Sequence, residues 1–517
     1  MKKLFVNDRE APVSGTLFEC AESVDVRVPT SCVKQGKCRE CLLEIEEGEE
    51  LLSARTAEEA HLGASFRLAC RTRLVGDGIV RCHTMRRGSL KIVDQSEGLP
   101  WSEGPPEPRD GYGIALDVGT TTVALRLFDL ASGVQVASQS FENPQRFGGS
   151  DIMARIHYDT QHRGRLLKRT LVGYLNHAIE ALPVDPDRIV DVVVAANTTM
   201  RDLFFGLDVH SIGQKPYWSI TERELREKKR DSTALGMPAR KLGLHVHPKA
   251  VVYGLPLIGS HVGGDAAACL WASRLTDSEA VSLVMDVGTN TEIVMGNRDR
   301  VVAASCPAGP AFEGGGVLCG MPALDGAIER VSIEEDGSLD VIVIGGGPPR
   351  GLCGSGLVDL LSELRRAGRM NAQGRFAGES EPFRVYDGIV FTEADVNELA
   401  QAKGANVAGL AIVADVYGIR LEDIDKLYLA GGFARHLDLD AARRIGFLPE
   451  LPDERIVRVG NAALDGASMI LRSPSQRREL EEAVRRVEHI ELETHPRFFD
   501  YFVEGCQFQP VASEVYT

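Results

Sequence analysis

Four cysteines carry the most specific chemistry in the sequence. In PTSCVKQGKCRECLLEI five residues separate Cys32 from Cys38 and two separate Cys38 from Cys41; Cys70, in FRLACRTRL, follows after twenty-eight more. Thiolates bind metals, and three in a short loop plus one distant sulfur can wrap a [2Fe–2S] cluster. Such a loop must be tight enough for backbone amides to reach the sulfurs, and Gly36 helps it turn. Zinc is the rival, because C-x2-C with two further cysteines is also a zinc pattern. The unequal 5–2–28 spacing favours iron–sulfur. Cys20, in LFECAESV, and Cys82, in GIVRCHTM, read as buried core thiols of a helix and a strand. Cys269, Cys306, Cys319, Cys353 and Cys506 contain no C-x2-C, so no second cluster is expected.

A second chemistry is written twice. IALDVGTTTVALRLFD at 114–129 and LVMDVGTNTEIVMGN at 283–297 align with Asp117 on Asp286, Gly119 on Gly288 and Thr120 on Thr289, 169 residues apart. Glycine lets the backbone approach a phosphate, and the amides after it point inward as donors. The side chains of Thr120 to Thr122 and Thr289 to Thr291 add further donors. Asp117 and Asp286, each at a strand end, can hold hydrated Mg2+ that neutralises phosphate charge. One D-x-G-T turn alone is equally well a hairpin capped by its Asp. Repetition with the flanking strands favours phosphate, and two such turns on opposite walls of a cleft can grip a triphosphate. In LYLAGGFARH, Gly431 and Gly432 follow an apolar strand and open a helix, allowing a base or ribose to pass and leaving helix amides free.

The elements that must position these residues form several domains, since 517 residues exceed one compact core. Residues 1–85 hold six of the eleven cysteines. DQSEGLPWSEGPPEPRDG, with four prolines, marks an extended linker within 86–111. Beyond it strand-like and helical runs alternate, as in SDIMARIHYDTQHRGRLLKRTLVGYLNHAIEAL and the β-branched IVDVVVAANTTM. The pattern restarts after DSEA, which divides the rest into 112–280 and 281–517, two similar α/β subdomains. A net charge of −16 argues against nucleic acid. No apolar run reaches eighteen residues, so no membrane span is expected. MKKLFVNDRE lacks the apolar core of an export signal, and the expected location is cytoplasmic.

The three glycine pieces resemble the phosphate 1, phosphate 2 and adenosine motifs of the acetate and sugar kinase/Hsp70/actin superfamily. The cysteine loop, with RLAC, resembles a plant-type ferredoxin, although Val33, Lys34 and Arg39 stand where small residues are usual. The order ferredoxin, linker, DVGTTT, NTTM, DVGTNTEI, PAGPAFEGG, GLCGSGL, LAGGFA, VGNAALDGA is similar to the reductive activators of corrinoid proteins. That resemblance implies a β-grasp ferredoxin domain followed by duplicated RNase-H-like (actin/Hsp70-type) ATPase subdomains, a multidomain α/β and α+β chain. It implies ATP-dependent reduction of a corrinoid protein of a methyltransferase system, Co(II) to Co(I), with an electron drawn from a low-potential donor through its own cluster.

The same resemblance makes Cys32, Cys38, Cys41 and Cys70 the cluster ligands. Asp117, Gly119, Thr120, Thr121, Asp286, Gly288, Thr289 and Asn290 line the phosphates, and Gly431 and Gly432 border the adenosine. Gly354 and Ser355 approach the phosphates, and Glu313 orders a hydrolytic water or is a surface carboxylate. Asn197 and Thr198 face the cleft or form a polar turn, and Asp265 fits a helix N-cap or the surroundings of the metal. A homodimer is left open. Two other readings stand beside this one: an ATP-gated redox-sensing regulator, and an activator of a different low-potential enzyme. The lack of clustered cysteines after residue 111 counts against the latter.

Overall fold

The structure, a computed structural model, describes residues 2–86, 106–378, 382–432 and 434–511. Most of the expected linker, 87–105, lies outside them. The described chain packs into two compact units, one of 2–86, 108–231 and 235–254, the other of 106–107, 232–234 and 255–511. The expected break at 280–281 therefore falls inside the second unit. Helix Gly264–Ser273 lies there against helix Ala462–Arg472. Gly466 permits that approach, since a Cβ on it would meet the Ala268 carbonyl at 2.1 Å.

The first unit begins with a five-stranded sheet in the order Arg9–Ala11, Lys2–Val6, Gly78–His83, Leu42–Glu47, Phe66–Leu68. Lys2–Val6 and Gly78–His83 run parallel at its centre, and the other pairs are antiparallel. Helix Leu17–Glu22 covers it, started by a capping box between Thr16 and Glu19. Cys20 and Cys82 are buried in this core, as their sequence settings led one to expect. This is the β-grasp ferredoxin fold. Its core is continuous with that of residues 114–252.

The rest of the first unit is a six-stranded sheet in the order Leu235–Pro238, Val251–Gly254, Ile189–Ala196, Tyr112–Val118, Thr122–Asp129, Gln135–Glu142. The second unit repeats its centre with Leu427–Ala430, Ser282–Val287, Thr291–Gly296 and Val301–Cys306. In both, three consecutive strands meander antiparallel and a later strand joins the first in parallel. The β-branched, apolar strands suit burial on both faces. This is the RNase-H-like sheet, present twice. The long helical stretch after the first meander divides into Ile152–Gln161 and Leu166–Glu180. Gly164 and Arg165, at φ 97° and 52°, turn the chain between them. Among the described residues no helix is long and apolar enough to cross a membrane.

Candidate functional site

The sulfur loop runs between helix Leu17–Glu22 and strand Leu42–Glu47, and Cys70 follows strand Phe66–Leu68. Its backbone is left-handed at Val33, Lys34, Gly36 and Arg39, with φ of 52°, 63°, 74° and 61°. Three of these carry a Cβ, so the loop holds a conformation costing about 1–2 kcal/mol per residue. In return the amides turn inward. Those of Gln35, Lys37 and Cys38 donate to the Cys32 sulfur, and those of Ser31 and Glu40 to Cys38. The Gly36 amide reaches Cys70.

The sulfurs come as two pairs. Cys41 Sγ donates to Cys70 Sγ at 3.3 Å, and the Cys32 and Cys38 sulfurs are hydrogen-bonded to each other. Among the described residues no three His, Cys, Asp or Glu side chains converge as a single ion requires. Two sulfur pairs edged with inward amides fit a two-iron cluster, in which each iron takes two thiolates. The hydrogen bond from Cys41 draws the Cys70 thiol down to about 7 and pushes that of Cys41 well above its ordinary value. Burial opposes the Cys32 thiolate, yet the Cys38 and Lys37 amides outweigh it and lower its pKa.

The first phosphate-type turn joins strands Tyr112–Val118 and Thr122–Asp129, closed by Gly119 N donating to Thr122 O at 2.9 Å. A Cβ at Gly119 would meet that same carbonyl at 2.7 Å, so the turn needs glycine. Asn197 Nδ2 donates to Thr120 Oγ1 at 3.1 Å, while Asn197 Oδ1 caps helix Thr198–Phe205 through Met200 N at 2.9 Å. Asn197 thus serves as cap and turn support together, and the buried Thr198 hydroxyl has no hydrogen-bond partner among the described residues. A further support of this turn is Asn143, which nothing in the local sequence signalled. Its Nδ2 donates to Gly119 O at 2.8 Å, and its main-chain N donates to Thr121 O at 2.7 Å.

The second turn joins Ser282–Val287 to Thr291–Gly296, with Gly288 N donating to Asn290 O at 3.1 Å. Thr289 Oγ1 donates to Glu313, bringing that carboxylate to the turn. The buried Asn290 Nδ2 has no hydrogen-bond partner among the described residues, and a donor so placed suits an anionic ligand. Asp286 stands directly across from Glu292 and accepts from Cys269 Sγ at 3.3 Å. Burial pushes the Asp286 carboxyl up to about 6, and burial together with Asp265 and Asp286 raises Glu292 well above its usual range. A cation brought beside these two carboxyls would favour their ionised forms and reverse that rise. Cys269 and Glu292 were not singled out from sequence, although Glu292 lies in the repeated stretch itself.

Other expected residues lie elsewhere in the second unit. Gly431 has φ 109° and donates its N–H to Gly460 O at 2.9 Å. A Cβ on it would meet Val287 O at 2.1 Å, so its bareness serves the crossing beside the second turn. The helix expected to open at Gly431 and Gly432 does not. A short 3-10 turn, Ala434–His436, precedes the six-residue helix Leu439–Arg444, and Phe433 lies outside the described residues. Gly354 and Ser355 start helix Gly354–Arg366, with Ser355 buried beside Cys353 Sγ at 3.4 Å. Asp265 is not an N-cap. Gly263 occupies that position, and Asp265 Oδ1 accepts from Ala266 N one residue inside.

The fold and these loops define a ferredoxin joined to a nucleotide-binding domain of the actin/Hsp70/sugar-kinase type. Family models match in chain order: the 2Fe-2S iron-sulfur cluster binding domain over residues 6–75, the RACo middle region over 112–278, and the C-terminal domain of RACo, the ASKHA domain, over 280–516. The corrinoid activation enzyme RamQ of Eubacterium limosum is 31% identical over 464 residues, 84% of this chain and 75% of that protein. The Co(II) methylated amine-specific corrinoid protein reductase of Methanosarcina barkeri is 24% identical over 416 residues, 76% of each. The solved structure of a reductive activator for corrinoid, iron-sulfur protein matches with a TM-score of 0.71 and 26% identity, covering 100% of both chains. This chain belongs to the RACo family, the corrinoid-activating reductases.

Proposed function

We propose that this chain reduces the Co(II) form of a corrinoid protein of a methyltransferase system to Co(I), using ATP and an electron passed through its own [2Fe–2S] cluster from a low-potential donor. One observation carries the reading: the chain that winds its cysteines into an amide-lined sulfur site also builds the Asp-x-Gly-Thr turn twice, once on each of two sheets of the same strand plan. Cys32, Cys38, Cys41 and Cys70 hold the cluster, which when bound supplies one electron at a time. Gly119, Thr120, Thr121, Gly288, Thr289 and Asn290 take the ATP phosphates, with Gly354 and Ser355 adding helix-start donors and Gly431 and Gly432 bordering the adenosine. Asp117 and Asp286 hold Mg2+, and Glu313, tied to Thr289, orders the attacking water.

ATP is needed on energetic grounds. Plant-type clusters sit near −400 mV, and an acceptor about 100 mV lower costs roughly 2.3 kcal/mol per electron. Binding or hydrolysis of ATP offsets this only through different affinities for the states before and after transfer. The test is anaerobic spectroscopy of a Co(II) corrinoid protein mixed with this protein and a low-potential reductant. Co(I) should appear only when ATP is added. A cluster that cycles while cobalt stays Co(II) across corrinoid partners would favour the redox-sensing regulator instead.

A further inference from the structure

Helix Leu166–Glu180 grips the sulfur loop along one face. Arg169 Nη2 donates to the carbonyls of Lys37 and Cys38 at 3.0 and 3.1 Å. One turn on, Gly173 leaves room for Glu40, whose side chain a Cβ there would meet at 2.7 Å. The buried Tyr174 hydroxyl then donates to Leu42 O at 3.0 Å. Beside this seam a cavity of about 800 Å³ opens between Pro29, Thr30 and Ser31 and the helix residues Lys168, Arg169 and Asn176.

The Lys37 carbonyl belongs to the same peptide as the Cys38 N–H, and that N–H donates to the Cys32 sulfur. A guanidinium on the carbonyl polarises the peptide and strengthens the N–H as a donor. It also sets a permanent positive charge beside a site that gains negative charge on reduction. Hydrogen bonds to the sulfurs and net charge are two of the levers that set the potential of such a cluster. We infer that Arg169 is a positioning residue for the sulfur loop and raises the reduction potential of the cluster held there. The helix that carries it also packs on Pro144–Gly148, directly after Asn143 and its hold on the first phosphate turn. Loss of the Arg169 contact makes the cluster a stronger reductant.

This inference rests on reading the four cysteines as cluster ligands. Full-length Arg169→Met, Arg169→Lys and Tyr158→Phe chains are loaded anaerobically, their iron and sulfide measured, and their potentials titrated by visible absorption. Tyr158 donates to His61 O at 3.1 Å and joins the same two parts away from the sulfur loop. At the wild-type midpoint, Arg169→Met should show a reduced-to-oxidised ratio at least threefold lower, about 28 mV at 59 mV per decade. Arg169→Lys should fall between, and Tyr158→Phe should match wild type. A loaded Arg169→Met chain within 1.5-fold of wild type overturns the inference, as does an equal shift in Tyr158→Phe. Should the Met variant fail to load, an unshifted Lys variant overturns it too. A wild-type chain that takes up no iron and sulfide refutes the ligand assignment instead.

Discussion

Asn143→Ala removes a fully buried side chain that ties the first phosphate turn to the chain beyond the meander. Besides a weak contact of Nδ2 with Met200 Sδ at 3.9 Å, two stronger bonds go: Nδ2 to Gly119 O at 2.8 Å and Gln145 N to Oδ1 at 2.9 Å. Each contributes about 0.5–1.5 kcal/mol, and leaving the buried Gln145 N–H without an acceptor costs about 1–3 kcal/mol. Destabilisation of the first unit should come to about 2–6 kcal/mol, read as faster hydrogen exchange in strand Tyr112–Val118 and its partners. The main-chain bond from Asn143 N to Thr121 O survives, so the turn loosens without being lost. ATP affinity measured by calorimetry should fall about fivefold, equivalent to about 1 kcal/mol. Asn143→Asp keeps an acceptor for Gln145 but sets a carboxylate against the Gly119 carbonyl and near bound phosphate, so it should lose more affinity than Ala. Opening free energies within about 0.5 kcal/mol of wild type, with ATP binding changed less than twofold, would refute the role given to Asn143.

Two buried ionisable groups in the second unit predict opposite pH dependences. Burial pushes the Asp359 carboxyl up to about 7, with Arg330 opposing and Asp438 and Glu363 adding to the rise. The folded chain then binds this proton more tightly than the unfolded one, so stability falls as pH rises from about 4 to about 7. Asp359→Asn should flatten urea unfolding midpoints over that window, and an unchanged slope would count against the assignment. Lys403 is fully buried, donates to Gly505 O and to Gln507 O at 2.8 Å, and is pushed by burial down to about 7. Here the folded chain releases a proton that the unfolded chain keeps until about 10.4, so stability rises from pH 7 toward 10. Lys403→Met should remove that rise and leave the two carbonyls without their donor. A Met variant that still gains stability over this window would show the rise belongs elsewhere.

The cysteine loop and the repeated turn were legible because their chemistry is local. A 5–2 spacing and a strand–Asp–x–Gly–Thr–strand pattern fix which atoms lie near one another through covalent geometry alone. The Asn197 cap is local as well, three residues from the amide it accepts, although the sequence offered Asn197 only as a cleft residue or part of a polar turn. What lay beyond reach were partners brought in by the fold. Asn143 meets Gly119 across 24 residues, Cys269 meets Asp286 across 17, and Arg169 meets Cys38 across 131. Sheet order drew Gly431 against Val287, which gave that glycine a packing reason apart from any ligand. The sequence by itself determined which residues carry sulfur and which turns present amides. Only the tertiary structure decided which buried side chains hold those turns in place, because such contacts depend on strand pairing and helix packing rather than on distance along the chain.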